Sequence, residues 1–434
     1  MVWLWIVIAV TISLVLFKKY KLKYYHFIWA LLPIDSYGFQ VEGITIKPYM
    51  IFMFALILLS GKIVMSNKHR TFLAFCVCAF LLSDVFNGFP MESVMQHLYF
   101  ILIFIFAIHY SVLSSGDSES IRKSIVLSGF AFTITFVLAY YSYVYAILIG
   151  QIEGTMVRGY FELHDGLYIA ADRFRGFEID PNAFCIMIIP VVSACIYSIC
   201  RKKQRTVCVV TICLSFACVL FSESRTGMIL FFTTLIFTAG VSFNSNGRRY
   251  GKSVIVILVI VAVMVLIIQL NVINISDITA YFESRSKIND TYGRMNIWKE
   301  CIKYVWTESP FLGLGSNQVR LYEPLSRACH NTWIEWICSV GFLFGLIVDI
   351  VFLFPLLKNW RKVLIRNNKE HGWVYATYCC IFLFLVTIDY VASVYLLCFF
   401  CLNDKLQDGS NSLVKDTTDY FSIKLKKVQT KRRS

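Results

Sequence analysis

Three short stretches of the sequence hold residue types that can do chemistry: RFRGFEIDPNAF at 173–184, SESRTG at 222–227 and ACHNTWIEW at 328–336. In SESRTG, Glu223 and Arg225 stand between two apolar runs, with almost no loop to hold them away from lipid. Such charges either snorkel to the headgroups or face the bundle interior, where ionisable residues mark a substrate path. In RFRGFEIDPNAF, Arg173 and Arg175 flank Phe174, and an extended backbone puts both on one side. A solvated loop edge is the plain alternative there. Asp180 and Pro181 read as the N-cap and first residue of the helix that follows. In ACHNTWIEW, Thr332 and Glu335 have the spacing of a capping box, which sets His330 just ahead of a helix. The positive end of a helix disfavours imidazolium, and a neutral imidazole is what a general base needs at about pH 7. A surface histidine at a loop–helix junction is the plain alternative. His164 is a weaker candidate, because nothing local positions it.

Arginine is favoured over lysine where a planar fork must hold phosphate or carboxylate. Several arginines and one poised histidine suit transfer from a lipid-carried diphosphate, with guanidinium on the diphosphate and imidazole on a sugar hydroxyl. The sequence has no DxD pair on the outward connectors and no glycine-rich phosphate loop. The expectation is therefore no metal and no cofactor.

The elements that must position these residues are membrane spans. The chain of 434 residues is 58% hydrophobic and 16% charged, with mean hydropathy +0.65, far from the balance of a soluble globular chain. Uncharged runs recur at the length that crosses the hydrocarbon core. They cover 2–17, 24–37, 48–61, 71–86, 94–113, 124–149, 183–200, 206–221, 227–243, 253–272, 331–357, 374–388 and 391–402. The fold class is all-α: a polytopic membrane protein with about 12–13 transmembrane helices and two outward loops with short interfacial helices. Pro33 and Asp35 interrupt the run 24–37, and the side of the N-terminus depends on whether that run crosses. The run 374–402 is a tight hairpin with Asp389 at its tip. The first run leads straight into KKYKLK with no cleavage site, so it reads as a retained span.

Most of the 41 Lys and Arg sit in connectors on one side, which the positive-inside rule makes cytoplasmic. The net charge of +14 is thus mostly topology, and no nucleic-acid partner is implied. The tail KLKKVQTKRRS reads as lying against anionic headgroups. Residues 1–402 form one transmembrane domain and 403–434 a basic cytoplasmic tail. Two connectors, about 150–182 and 273–330, are long, and long loops in compact proteins are usually functional. They face outward, where Arg outnumbers Lys. GRMNIWKECIKYVW (293–306) in the second loop has helical spacing of Ile297, Trp298, Cys301, Ile302 and Val305 and reads as an interfacial helix. Arg294 stands at its start. The 15 cysteines have no metal-site spacing and mostly sit in spans as small hydrophobes. Only Cys301 and Cys329 fall in an outward loop.

SESRTG closing one span, then GRMNIW…SPFLGLGSN, then HNTWIEW…GFLFG, together resemble the O-antigen ligase and polymerase superfamily of bacterial envelopes. The resemblance runs in order over about 173–402, and the N-terminal third matches only as spans. It implies a GT-C-type glycosyltransferase at the outer face of the cytoplasmic (inner) membrane. That enzyme moves an undecaprenyl-diphosphate-linked glycan with inversion and without metal. It further implies His330 as the base on the acceptor hydroxyl, Arg225 and Arg294 holding the donor diphosphate, and Arg175 as a helper. Arg173 and Asn331 complete the candidate substrate-binding set. RFRGFEIDPNAF looks like the R-x-x-G…DPN pattern of capsule and exopolysaccharide polymerases. Polymerisation of lipid-linked repeat units is the favoured reading, with donor, acceptor and bilayer as partners and a flippase and chain-length regulator alongside. Ligation of the glycan to another acceptor, or a polysaccharide flippase, are the alternatives.

Overall fold

In a computed structural model, residues 2–41, 44–61, 63, 65–148, 156–164, 167–178, 180–243, 294–322, 328–364, 372–388 and 393–408 are described. Their helices are α1 (Val2–Lys19), α2 (Ile28–Leu31), α3 (Pro48–Ser60), α4 (Asn67–Phe86), α5 (Met91–Leu113), α6 (Ser118–Leu148) and α7 (Pro181–Cys200), followed by α8 (Arg205–Phe221), α9 (Arg225–Phe243), α10 (Arg294–Glu308), α11 (Thr332–Leu364), α12 (Gly372–Phe384) and α13 (Val394–Asp408). Seven are long and apolar enough to cross a membrane, namely α1, α4, α5, α6, α7, α9 and α11, and α3, α8, α12 and α13 are shorter apolar helices. Their outward faces stay apolar: Leu58, Phe86, Ile229, Ile236 and Leu343 are exposed, which in water would be a liability and in lipid is not. The expected span 253–272, the hairpin tip at Asp389 and the tail beyond Asp408 lie outside the described residues.

Local signals set most boundaries. Asp180 caps α7, accepting from the backbone N–H of Asn182 at 2.7 Å and of Ala183 at 3.4 Å, with Pro181 in the first turn. Pro48 opens α3 and left-handed Gly61 closes it. The expected span 24–37 is not one helix. Two short 3₁₀ turns, Tyr24–Phe27 and Leu32–Ile34, bracket the single turn of α2. Residues 28–34 are buried in the bundle. The Trp29 indole N–H donates to the Tyr110 hydroxyl at 2.7 Å and the Ser128 hydroxyl donates to the Trp29 carbonyl at 2.6 Å. Irregular backbone at membrane depth is tolerated where protein covers it.

This broken segment nevertheless joins two polar ends of the bundle. At its start, Lys23 pairs with Asp117 at 3.2 Å. The same end holds Lys203–Glu119 at 2.8 Å and Lys68–Asp404 at 2.5 Å. At its finish, Asp35 pairs with Lys47 at 2.8 Å and Ser36 donates to Glu178.

Two features depart from an all-helical reading of the connectors. Residues Phe39–Val41 (β1) and Ile44–Ile46 (β2) form a small antiparallel hairpin. In the first long connector, Val157–His164 (β3) pairs with Leu167–Phe174 (β4), Val157 opposite Phe174. The described part of that connector is thus a hairpin where a short interfacial helix was expected. The second long connector does hold one, α10, which buries Ile297, Cys301 and Val305 and leaves Ile302 exposed. Its apolar stripe is covered by Leu314, Val319, Cys329 and Cys338, so protein packs where an interfacial lipid contact was expected.

α11 is not one continuous span. Gly341 has φ 85° and ψ 169°, a region open only to glycine. A β-carbon on Gly345 would lie 2.7 Å from the Ile337 backbone, so the chain turns back sharply on itself. The expected span 331–357 is therefore a separate helix, 332–340, followed by the crossing segment 342–364.

Candidate functional site

The site end is built around two turns. The first is SESRTG, between α8 and α9. Glu223 takes a left-handed φ of 49°. The Ser224 hydroxyl accepts from the Gly227 N–H at 2.9 Å, capping α9, and donates to the Asn182 side-chain oxygen at 2.8 Å. The Arg173 Nε donates to the Ser222 carbonyl at 2.9 Å. A β-carbon on Gly227 would lie 2.3 Å from the Cys185 sulfur, so α9 and α7 pack closely just below. The turn is tied to β4, α7 and α8 at once. Arg225, the first residue of α9, is exposed. It stands at the end of its helix and does not face the bundle interior.

Arg173 and Arg175 part company. Arg173 is 4% exposed and spent on the SESRTG turn, so its visible work is holding that turn. Phe174 between them packs against Phe136, Tyr140, Phe184 and Phe221. Arg175 lies past the end of β4, half-buried, with its N–H donating to the Met156 carbonyl at 3.0 Å. Gly176 then turns at φ 58°, where a β-carbon would strike the Phe184 ring. Glu178 is buried beside this turn. Desolvation pushes its carboxyl up to about 8; the Asp35 charge adds, and the Ser36 hydroxyl and Lys47 oppose.

The second turn carries His330, which is exposed at φ 53° between buried Cys329 and Asn331. The N-cap of α11 is Asn331, where the capping box predicted Thr332. The Asn331 side-chain oxygen accepts from the N–H of Trp333 at 3.0 Å and of Ile334 at 3.2 Å. Thr332 is drawn elsewhere, its hydroxyl donating to the Ile388 carbonyl at 2.6 Å and its N–H to the Leu385 carbonyl at 2.9 Å. Glu335 accepts from the Asn317 N–H at 2.7 Å and the Ser339 hydroxyl at 3.3 Å. His330 still directly precedes the helix, as expected. Asn331, a candidate substrate ligand by sequence, has its oxygen committed to the cap.

The glycines of FLGLGSN explain how this turn is mounted. The break at Gly341 leaves helical carbonyls for outside donors: Cys338 O receives the Leu314 N–H at 2.7 Å and Ser339 O the Gly315 N–H at 3.1 Å. The Phe342 N–H donates to Pro310 O at 2.8 Å. The approach is so close that a β-carbon on Gly313 would sit 2.5 Å from the Ser339 backbone, and one on Gly341 2.4 Å from the Phe311 backbone. From below, the α4–α5 corner grips the same loop. The Ser83 hydroxyl donates to Ser339 O at 2.6 Å and the Asn87 amide to Gly313 O at 3.1 Å. Ser93 accepts from the Ser316 N–H at 2.8 Å and donates to Asp84 at 2.6 Å. Asp84 also meets His97 at 2.9 Å. Sequence reading missed this support; Asp84 inside an apolar run was the available signal.

Arg294 is exposed at the first residue of α10, and the Trp298 indole N–H from that helix donates to the Cys329 carbonyl at 3.1 Å. Arg294 and His330 thus share one scaffold, and Arg173, Arg175 and Arg225 another. α12 joins the two: it packs on α7 and α9, and residues 385–388 at its end hold Thr332. Among the described residues, no group of three or more His, Cys, Asp or Glu is placed to hold a metal ion.

The arrangement displays guanidinium groups and an imidazole on rigid turns at one end of an apolar bundle. No curated protein matches the chain. A protein-family model described as O-antigen ligase matches residues 210–350, a stretch that takes in Arg225, Arg294, His330 and Asn331 but not Arg173 or Arg175. Across SESRTG, α10, the glycine loop and the His330 turn, the chain carries a domain of the O-antigen ligase family.

Proposed function

We propose that the protein polymerises undecaprenyl-diphosphate-linked oligosaccharide repeat units at the outer face of the cytoplasmic membrane. The observation that carries this reading is the exposed His330, set just ahead of a capped helix at the same end of the bundle as Arg225 and Arg294. His330 takes the proton of an acceptor sugar hydroxyl. The oxygen attacks the anomeric carbon of the donor as the bond to the diphosphate breaks, which inverts the centre. Arg225 and Arg294 hold the departing diphosphate, where a fork beats a point charge, and Arg175 assists from the neighbouring turn. The chemistry as drawn asks for no metal. The Lys-rich end with Lys23, Lys68 and Lys203 faces the cytoplasm by the positive-inside rule, which turns the His330 end outward.

Ligation is the second reading. It is favoured by the description of the matched family, whereas RFRGFEIDPNAF favours polymerisation. The test is transfer by purified protein in lipid, supplied with the lipid-linked repeat unit, beside His330→Ala. A ladder of lengths that disappears in the variant is the expected result. Transfer only on adding a second acceptor replaces polymerase with ligase. A wild-type protein that transfers nothing, beside an active control enzyme, overturns both.

A further inference from the structure

The 15 cysteines are not scattered evenly. Cys301 on α10, Cys329 just before His330 and Cys338 on α11 gather in one small buried core with Ile297, Val305, Leu314 and Val319. All three are fully buried, and the Trp298 indole N–H, one turn of α10 from Cys301, reaches the Cys329 carbonyl at 3.1 Å. Cys195 and Cys208 are buried on α7 and α8, two helices that pack together, toward the Lys-rich end. A disulfide requires cysteines that are neighbours in the fold, and one small core supplies them. The compartment then decides whether the bond persists, since thiols stay reduced in the cytosol and oxidise outside it.

We propose that Cys301 and Cys329 are joined by a disulfide that fastens the segment bearing His330 to the helix headed by Arg294. Its sidedness rests on the outward orientation proposed above. Two outward-loop residues make the bond, and Cys338, on the separate helix 332–340, remains the third thiol. The non-covalent version of the link already exists in the Trp298 bond to the Cys329 carbonyl. The oxidant is a protein disulfide of the extracytoplasmic side. The two thiols lose two protons and two electrons to it, the new S–S bond forms, and the donor disulfide becomes two thiols. Because the core is closed, exchange occurs while the outward loop is still folding.

The test reads thiols, not glycan, so it separates this inference from the polymerase reading. Cells are quenched in acid, thiols are blocked with a maleimide in denaturant, and peptides are mapped before and after reduction and labelling with a second maleimide. The expected result is a joined Cys301–Cys329 peptide lighter by two hydrogens, with Cys195, Cys208 and Cys338 carrying the first label. The joined peptide persists in Cys338→Ser. First label on both Cys301 and Cys329, a bond through Cys338, or oxidation of Cys195 and Cys208 to the same extent overturns the proposal. The wild-type map alone decides, whether or not any variant folds.

Discussion

The two polar ends of the bundle use charge in opposite ways. At the Lys-rich end, cations meet carboxylates from distant parts of the chain: Lys23 and His26 with Asp117, Lys203 with Glu119, Lys68 and His69 with Asp404. There charge closes the fold. At the other end, Arg225, Arg294 and His330 are exposed, while caps, serine hydroxyls and backbone carbonyls do the holding. There, apart from pairs such as Lys47–Asp35, charge is displayed on a frame made mostly of neutral hydrogen bonds. One end should therefore answer to mutation in stability, the other in turnover.

The sharpest test of that division is His330→Ala. Loss of a general base costs about 10²–10⁴-fold in kcat, read by the transfer assay, with only a small fall in melting temperature because the side chain is exposed and the cost is confined to its left-handed backbone. Next comes Gly341→Ala. A β-carbon at a glycine-only backbone conformation, 2.4 Å from Phe311, should cost about 3 kcal/mol or more, seen as a lowered unfolding midpoint in detergent. Arg225→Lys keeps the charge and loses the fork; about tenfold to a hundredfold slower transfer at unchanged stability is expected.

The two ends should also have opposite pH signs. The His26 hydrogen bond, opposed by burial and helped by Ser120 and Lys23, holds Asp117 well below the usual carboxylate range. Its contribution is present above the ordinary Asp value and is lost as pH falls through the folded value. Asp117→Asn should then cost about 1 kcal/mol at neutral pH, allowing for solvent screening. Glu178 runs the other way. Its folded form stays protonated up to about 8, so stability is full below the ordinary Glu value. It declines by about 1.4 kcal/mol per pH unit until the folded value is passed. Glu178→Gln should flatten that slope and melt higher than wild type at alkaline pH. The smallest effect is Lys203→Ala, whose half-exposed pair with Glu119 is worth under about 1 kcal/mol and whose kcat should not change.

What the sequence made legible was local. The apolar run 48–61 became Pro48–Ser60 because a span needs little beyond length and hydropathy, and Asp180-Pro181 capped α7 because a cap is settled within three residues. The Asn331 cap was misread for the converse reason. Thr332 and Glu335 fit a local pattern, but their partners are Ile388, Leu385 and Asn317, which no spacing rule reveals. Arg173 went the same way: the segment around Phe174 is extended as expected, yet the guanidinium is claimed by Ser222, 49 residues on. The run 24–37 shows the limit of hydropathy itself. Burial against Tyr110 and Ser128 lets it be apolar without being a helix in lipid.

The break at Gly341 has a mechanical consequence. The helix that bears His330 at its head is coupled to the loop 310–315 and to the α4–α5 corner, not continued into the crossing segment after it. Spans tilt and shift as bilayer thickness changes. A histidine on the tip of a straight span would ride those movements. Here the break at Gly341 interrupts the rod, so a tilt of the crossing segment is not carried to the imidazole along one continuous helix.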